Sequence, residues 1–86
     1  MSLMTKVIVY TKEGCHVCEK VITELEKLSR THTFEISIQD ITTDSELFER
    51  YKNIIPVVSV YGEIKITVES LSHGMILEDS LRRALA

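Results

Sequence analysis

Only two cysteines occur in the chain, Cys15 and Cys18, and they fall where the hydrophobic pattern changes period. Residues 4–10, Met-Thr-Lys-Val-Ile-Val-Tyr, are mostly apolar and β-branched and read as a buried strand. Gly14 interrupts that run. From Cys15 onward, Cys18, Val21, Ile22, Leu25 and Leu28 recur at helical spacing, with Glu19, Lys20, Glu24, Glu26 and Lys27 on the opposite face. This predicts a helix over residues 15–29. A strand that passes through a glycine into an amphipathic helix, with C-x-x-C at the junction, commits the chain to alternating β and α layers.

The remaining pattern extends that alternation. Residues 33–39 alternate, with Phe34, Ile36 and Ile38 on one face and Glu35 and Ser37 on the other, as a half-buried strand does. A helix crossing between the first two strands makes them parallel and the crossover right-handed. Thr43-Asp-Ser-Glu46 has capping-box spacing, with Thr43 as the predicted N-cap of a short helix that buries Leu47, Phe48 and Tyr51. Pro56 opens a third strand, a position where a strand tolerates proline. Tyr61-Gly62 predicts a tight turn into a fourth strand over residues 63–69, with Ile64, Ile66 and Val68 inward. Gly74 marks a loop, and Leu77, Leu81, Ala84 and Leu85 mark a last helix. The expected order is β-α-β-α-β-β-α: one α/β domain over residues 1–86, with a four-stranded mixed sheet and three helices.

Composition narrows the partners. Ten Lys and Arg against thirteen Asp and Glu give a net charge of -3, which offers no basic footprint for nucleic acid. No apolar stretch approaches the ~20 residues of a membrane span. The first ten residues have no long apolar core and no cleavage site. The expectation is a soluble, cytoplasmic monomer that engages neither nucleic acid nor membrane.

Functional sites in open α/β sheets lie at the carboxyl ends of parallel strands, which is where Cys15 falls. At a helix N-terminus the first N–H groups lack partners and the dipole is positive, so a thiolate at Cys15 is favoured. Its pKa is expected below the free-thiol value of about 8.5, within about 3.5–7.5. Cys18 lies one turn on, in register with the apolar stripe, and is the sheltered member. One exposed, acidic thiol beside one sheltered thiol suits thiol–disulfide exchange: Cys15 attacks and Cys18 resolves. A structural disulfide across so short a loop constrains the unfolded chain little and is out of place in a reducing cytosol. A zinc site needs four ligands and the cysteines supply two. Cys18 to His32 resembles the first gap of a zinc finger, but His73 is far outside the spacing that follows.

With these residues in place, the chain resembles a glutaredoxin-like member of the thioredoxin superfamily, of C-H-x-C type. The likeness rests on Tyr10-Thr-Lys-Glu-Gly-Cys-His-Val-Cys18 after the first strand, on Ile55-Pro-Val-Val58, and on a glycine-headed loop before the last helix. The resemblance implies a thioredoxin fold and disulfide reductase chemistry. It further implies a cis Pro56 beside the thiols and an Ile55 backbone that pairs with a bound thiol peptide. His16-Val17 stands where the family usually has Pro-Tyr, and Ile54-Ile55 where it has Thr-Val. The family's glutathione loop is reduced to Ser72-His-Gly74-Met; Lys12 alone matches a glutathione-carboxylate contact. Thioredoxins carry a buried Asp in the first strand, where this chain has Val7, Ile8 and Val9, and a Trp where it has Gly14.

The expected site is therefore Cys15 and Cys18 as the reacting pair, with Lys12, His16, Val17, Ile55, Pro56 and Gly74 around the substrate. His16 as a cation would favour the thiolate further; as an exposed first-turn residue it would do nothing, and the sequence leaves both readings open. No bound cofactor is expected. Substrates are disulfide-bearing proteins or small thiols, and glutathione or a thioredoxin reductase is the donor. Two other readings use the same residues: a binding module of this fold with idle thiols, and a metal or iron–sulfur carrier.

Overall fold

A computed structural model describes residues 5–67, together with Asp79 and Arg83. The elements are β1 (Thr5–Thr11), α1 (His16–Leu28), β2 (Phe34–Asp40), a 3-10 turn (Ile41–Thr43), α2 (Ser45–Tyr51), β3 (Val57–Val60) and β4 (Glu63–Ile66). They form a mixed four-stranded sheet in the order β2-β1-β3-β4. β1 runs parallel to β2, with Val7 opposite Ile36 and Val9 opposite Ile38. It runs antiparallel to β3, with Val7 opposite Val60 and Val9 opposite Val58. β1 is thus central, which accounts for its β-branched run: Val7 and Val9 are fully buried. The described part is an α/β sheet compatible with a thioredoxin-like fold, and it contains two α-helices, where three were expected. The third falls outside the described residues, apart from Asp79 and Arg83, which are helical and exposed.

Two apolar clusters hold the sheet. In the first, α1 lays Val21, Leu25 and Leu28 against Val7, Val9, Phe34, Val58, Val60 and Ile66. The second joins Cys18, Ile41, Tyr51, Ile55 and Val57, with Tyr10, Cys15, Leu47, Phe48 and Ile54 packed onto it. The Tyr10 and Tyr51 rings meet there with centroids 4.6 Å apart.

Several expectations change in detail. Asp44, not Thr43, caps α2: its Oδ1 accepts from the N–H groups of Glu46 at 2.9 Å and Leu47 at 3.3 Å. Thr43 belongs instead to the preceding 3-10 turn, where its hydroxyl donates to Asp40 O. Ile38 was expected inward and is 55% exposed, because β2 is an edge strand. Ile64, also expected inward, is 48% exposed while Ile66 is fully buried. The pairing explains this: Ser59 faces Ile64 but Val58 faces Ile66, so residue 65 is an extra one on β4. Such a bulge puts residues two apart on opposite faces. The Tyr61-Gly62 turn is as expected, with positive φ at both residues, as a type I′ hairpin requires. Val68 lies outside the described residues.

Candidate active site

The site begins with the turn that joins β1 to α1. Cys15 N–H donates to Lys12 O at 3.3 Å, and Gly14 has φ +84°. Positive φ at the third residue of a four-residue turn is the type II signature and explains a glycine there. The turn delivers Cys15 as the N-cap of α1, where its Sγ accepts the N–H of Cys18 at 3.2 Å. A sulfur thus takes the capping role usually filled by a hydroxyl or carboxylate oxygen.

Cys15 and Cys18 are joined by a disulfide, with Cα atoms 5.3 Å apart. Cys18 is fully buried, as expected, whereas Cys15, expected exposed, is half-buried. Cys18 sits in the second apolar cluster against Ile41, Tyr51, Ile55 and Val57. Nothing in the local sequence around Cys18 points to these partners, which come from the 3-10 turn, α2 and β3.

Of the other expected site residues, Ile55 shares the apolar cluster of the pair. The Ile55–Pro56 bond is cis, and both residues are buried. The Ile55 N–H donates to Tyr51 O at 3.1 Å, so it is already engaged at the end of α2. Val17 is 45% exposed beside the thiols. Lys12 is exposed in the turn. His16 points into solvent, its Nδ1 3.6 Å from Glu19 Oε2; an exposed pair of this kind contributes little. Glu19 is a neighbour the sequence reading did not single out, although its spacing from His16 suits an ion pair on a helix. Gly74 lies outside the described residues. His32 lies beyond the far end of α1, its N–H bonded to Leu28 O, away from the thiols. Among the described residues no group of three or more His, Cys, Asp or Glu converges as a metal site requires, and no helix is long and apolar enough to cross a membrane.

An α/β sheet that carries a C-x-x-C pair at a strand-to-helix junction, one sulfur reachable and one sheltered, defines a redox-type domain. The chain belongs to the family of the glutaredoxin-like domain (DUF836), whose profile matches residues 6–86. Its structure is similar to the solution structure of protein Ne2328 from Nitrosomonas europaea, with a TM-score of 0.68 and 27% identity over 86% of this chain and 92% of that one. Among curated proteins nothing matches.

Proposed function

We propose that the protein is a thiol–disulfide oxidoreductase of thioredoxin fold that reduces disulfides through Cys15 and Cys18. The observation that carries this reading is the asymmetry of the pair: a half-buried sulfur capping α1 and receiving an N–H, bonded to a sulfur with no exposure. In the reduced protein the Cys15 thiolate is favoured by that N–H and by the positive end of the helix dipole. It attacks a substrate disulfide, forms the mixed disulfide and expels one substrate thiolate. Cys18 then attacks Cys15 Sγ, closes the Cys15–Cys18 bond and expels the second. Two electrons pass to the substrate. Val17, exposed next to the pair, offers a substrate an apolar contact. Because the Ile55 N–H is engaged by Tyr51 O, pairing of a substrate backbone at this residue falls to the Ile55 carbonyl.

A protein disulfide is the preferred substrate, with glutathione a poor donor. Lys12 offers one exposed cation for a glutathione carboxylate, and an exposed pair is worth only about 0–1 kcal/mol. The test is steady-state reduction of insulin and of a glutathione mixed disulfide, with glutathione or a thioredoxin reductase as donor. Cys15→Ser is expected to abolish both reactions. Cys18→Ser is expected to lose insulin reduction and to stall as a mixed disulfide. Lys12→Ala is expected to raise the KM for glutathione by no more than a few-fold. Wild-type protein inert with both donors would sink the reading and leave a binding module in its place.

A further inference from the structure

The two outer strands among those described end the sheet in different ways. β4 is four residues long and broken by a bulge. Short length and bulging keep a sheet edge from pairing with another chain. β2 runs for seven residues, Phe34–Asp40, in unbroken register with β1. It contains no lysine and no proline, and its charged residues, Glu35 and Asp40, stand near its two ends. The chain leaves β4 on the far side of the sheet, with β3 and β1 between it and β2. Glu35 is exposed, and Ile38 shows 55% of its surface. Ile38 pairs with Val9 and so lies on the face that α1 covers. The α1 cluster takes up Ile36 and leaves Ile38 open.

The order of residues in β2 is self-complementary. A second copy of the strand, antiparallel and related by a two-fold axis at Ser37, pairs all seven residues. Ile38 then stands opposite Ile36 of the second copy, and Ile36 opposite its Ile38. Directly opposed residues of an antiparallel pair have Cβ atoms about 4.5–5.5 Å apart, within contact of one another. Glu35 stands opposite Gln39, whose amide can donate to the carboxylate. Phe34 stands opposite Asp40, whose carboxylate is already held by the Thr42 hydroxyl at 2.6 Å and the Thr42 N–H at 2.8 Å. A parallel, in-register copy would instead set Glu35 against Glu35, and like charges directly opposed destabilise a sheet.

We propose that β2 is the contact strand of a homodimer, in which two copies join their sheets edge to edge about Ser37 into one eight-stranded sheet. This takes the place of the monomer expected from the sequence. The contact is isologous and closes with two subunits. The outer backbone groups of β2 supply the hydrogen bonds, and the open Ile38 is covered. An interface built on one short strand belongs to the small class, below roughly 1,200 Å² of buried surface, that associates weakly. The dimer therefore forms and dissociates with concentration. Because the two copies of β2 run in opposite directions, the β1–α1 junctions with Cys15 and Cys18 fall at opposite ends of the joint sheet.

The test is sedimentation velocity on the whole chain over about 5 µM to 1 mM, the range in which weak contacts populate. The chain is kept oxidised, so that the Cys15–Cys18 bond leaves no thiol to cross-link. Wild type is expected to pass from monomer to dimer across that range. Ile38→Lys should remain monomeric while keeping its far-UV circular dichroism and its unfolding midpoint. Gln39→Glu sets like charges opposite one another twice per dimer and should weaken association roughly 2–30-fold; Gln39→Lys sets unlike charges there and should strengthen it by a similar factor. A lysine on an edge strand ordinarily opposes pairing, so the strengthening reports this register. Hydrogen exchange by NMR should show β2 amides that are open in the dilute chain becoming protected as it is concentrated. A wild type monomeric at the highest concentration overturns the proposal, as does a dimer that all three variants leave unchanged. Weakening by Gln39→Lys places the contact in another register and overturns the axis at Ser37. Slow exchange of every β2 amide in the dilute monomer assigns the edge to residues 68–86 of the same chain, and also overturns it.

Discussion

Gly14 shows how one residue can set the sulfur of its neighbour Cys15 in place. Nothing lies within 4 Å of where its Cβ would stand, so crowding does not require a glycine. The backbone does: φ is +84°, a region that costs an L-residue roughly 1–2 kcal/mol. Gly14→Ala is therefore expected to lower stability by about 1–2 kcal/mol in denaturant melts, and Gly14→Asn by less, since asparagine tolerates this region better. A neutral Gly14→Ala variant would show that the type II turn is not what the chain adopts before Cys15. The place of the cysteine pair at the β1–α1 junction was legible at this scale, because two cysteines three apart at a change of period carry their own local signal. The role of His16 was not. Its exposure and its 3.6 Å approach to Glu19 depend on a rotamer direction that composition does not encode.

α2 tests how far local motifs reach at the scale of an element. The Thr43-x-x-Glu46 spacing is a genuine capping box in sequence, yet the chain enters the helix one residue later. Asp40 draws Thr42 and Thr43 into the 3-10 turn through its Oδ1 and its carbonyl, which leaves Asp44 to accept from Glu46 and Leu47 N–H. Two overlapping caps competed, and the upstream carboxylate decided between them. Asp44→Ala is expected to cost about 0.5–2 kcal/mol, with Thr43→Ala costing a few tenths by comparison; urea midpoints of the two variants are the measurement. The reverse ranking would restore the capping box. Strand existence was equally legible, from the apolar runs of β1 and β3 and the alternation of β2. The bulge in β4 was not, because one extra residue in a pairing register leaves no trace in the hydrophobic pattern of the strand itself. Ile38 was misplaced for a similar reason: alternation says which face a residue takes, not whether the strand lies at the edge of the sheet.

Across the whole molecule, the two apolar clusters divide the labour of α1. Its stripe runs from Cys18 to Leu28, but Val21, Leu25 and Leu28 pack with the first cluster while Cys18 belongs to the second. The helical period predicted one continuous face; the division comes from tertiary partners distant in sequence, such as Ile41 and Val57, and could not be read locally. It leads to a prediction that separates stability from chemistry. Leu25 and Ile41 are both fully buried, and truncating either to alanine is expected to cost about 2–5 kcal/mol. The two losses should differ at the thiols. Ile41→Ala removes side-chain volume from the cluster that encloses Cys18, which admits solvent to its sulfur. In the reduced protein, iodoacetamide labelling of Cys18, read by peptide mass under native conditions, should accelerate in Ile41→Ala and stay near the wild-type rate in Leu25→Ala. Comparing the variants at temperatures where each retains the same unfolding free energy removes the contribution of global opening. Equal acceleration in both would mean that Cys18 is reached only by unfolding of the whole domain, and that the second cluster is no separate enclosure for it.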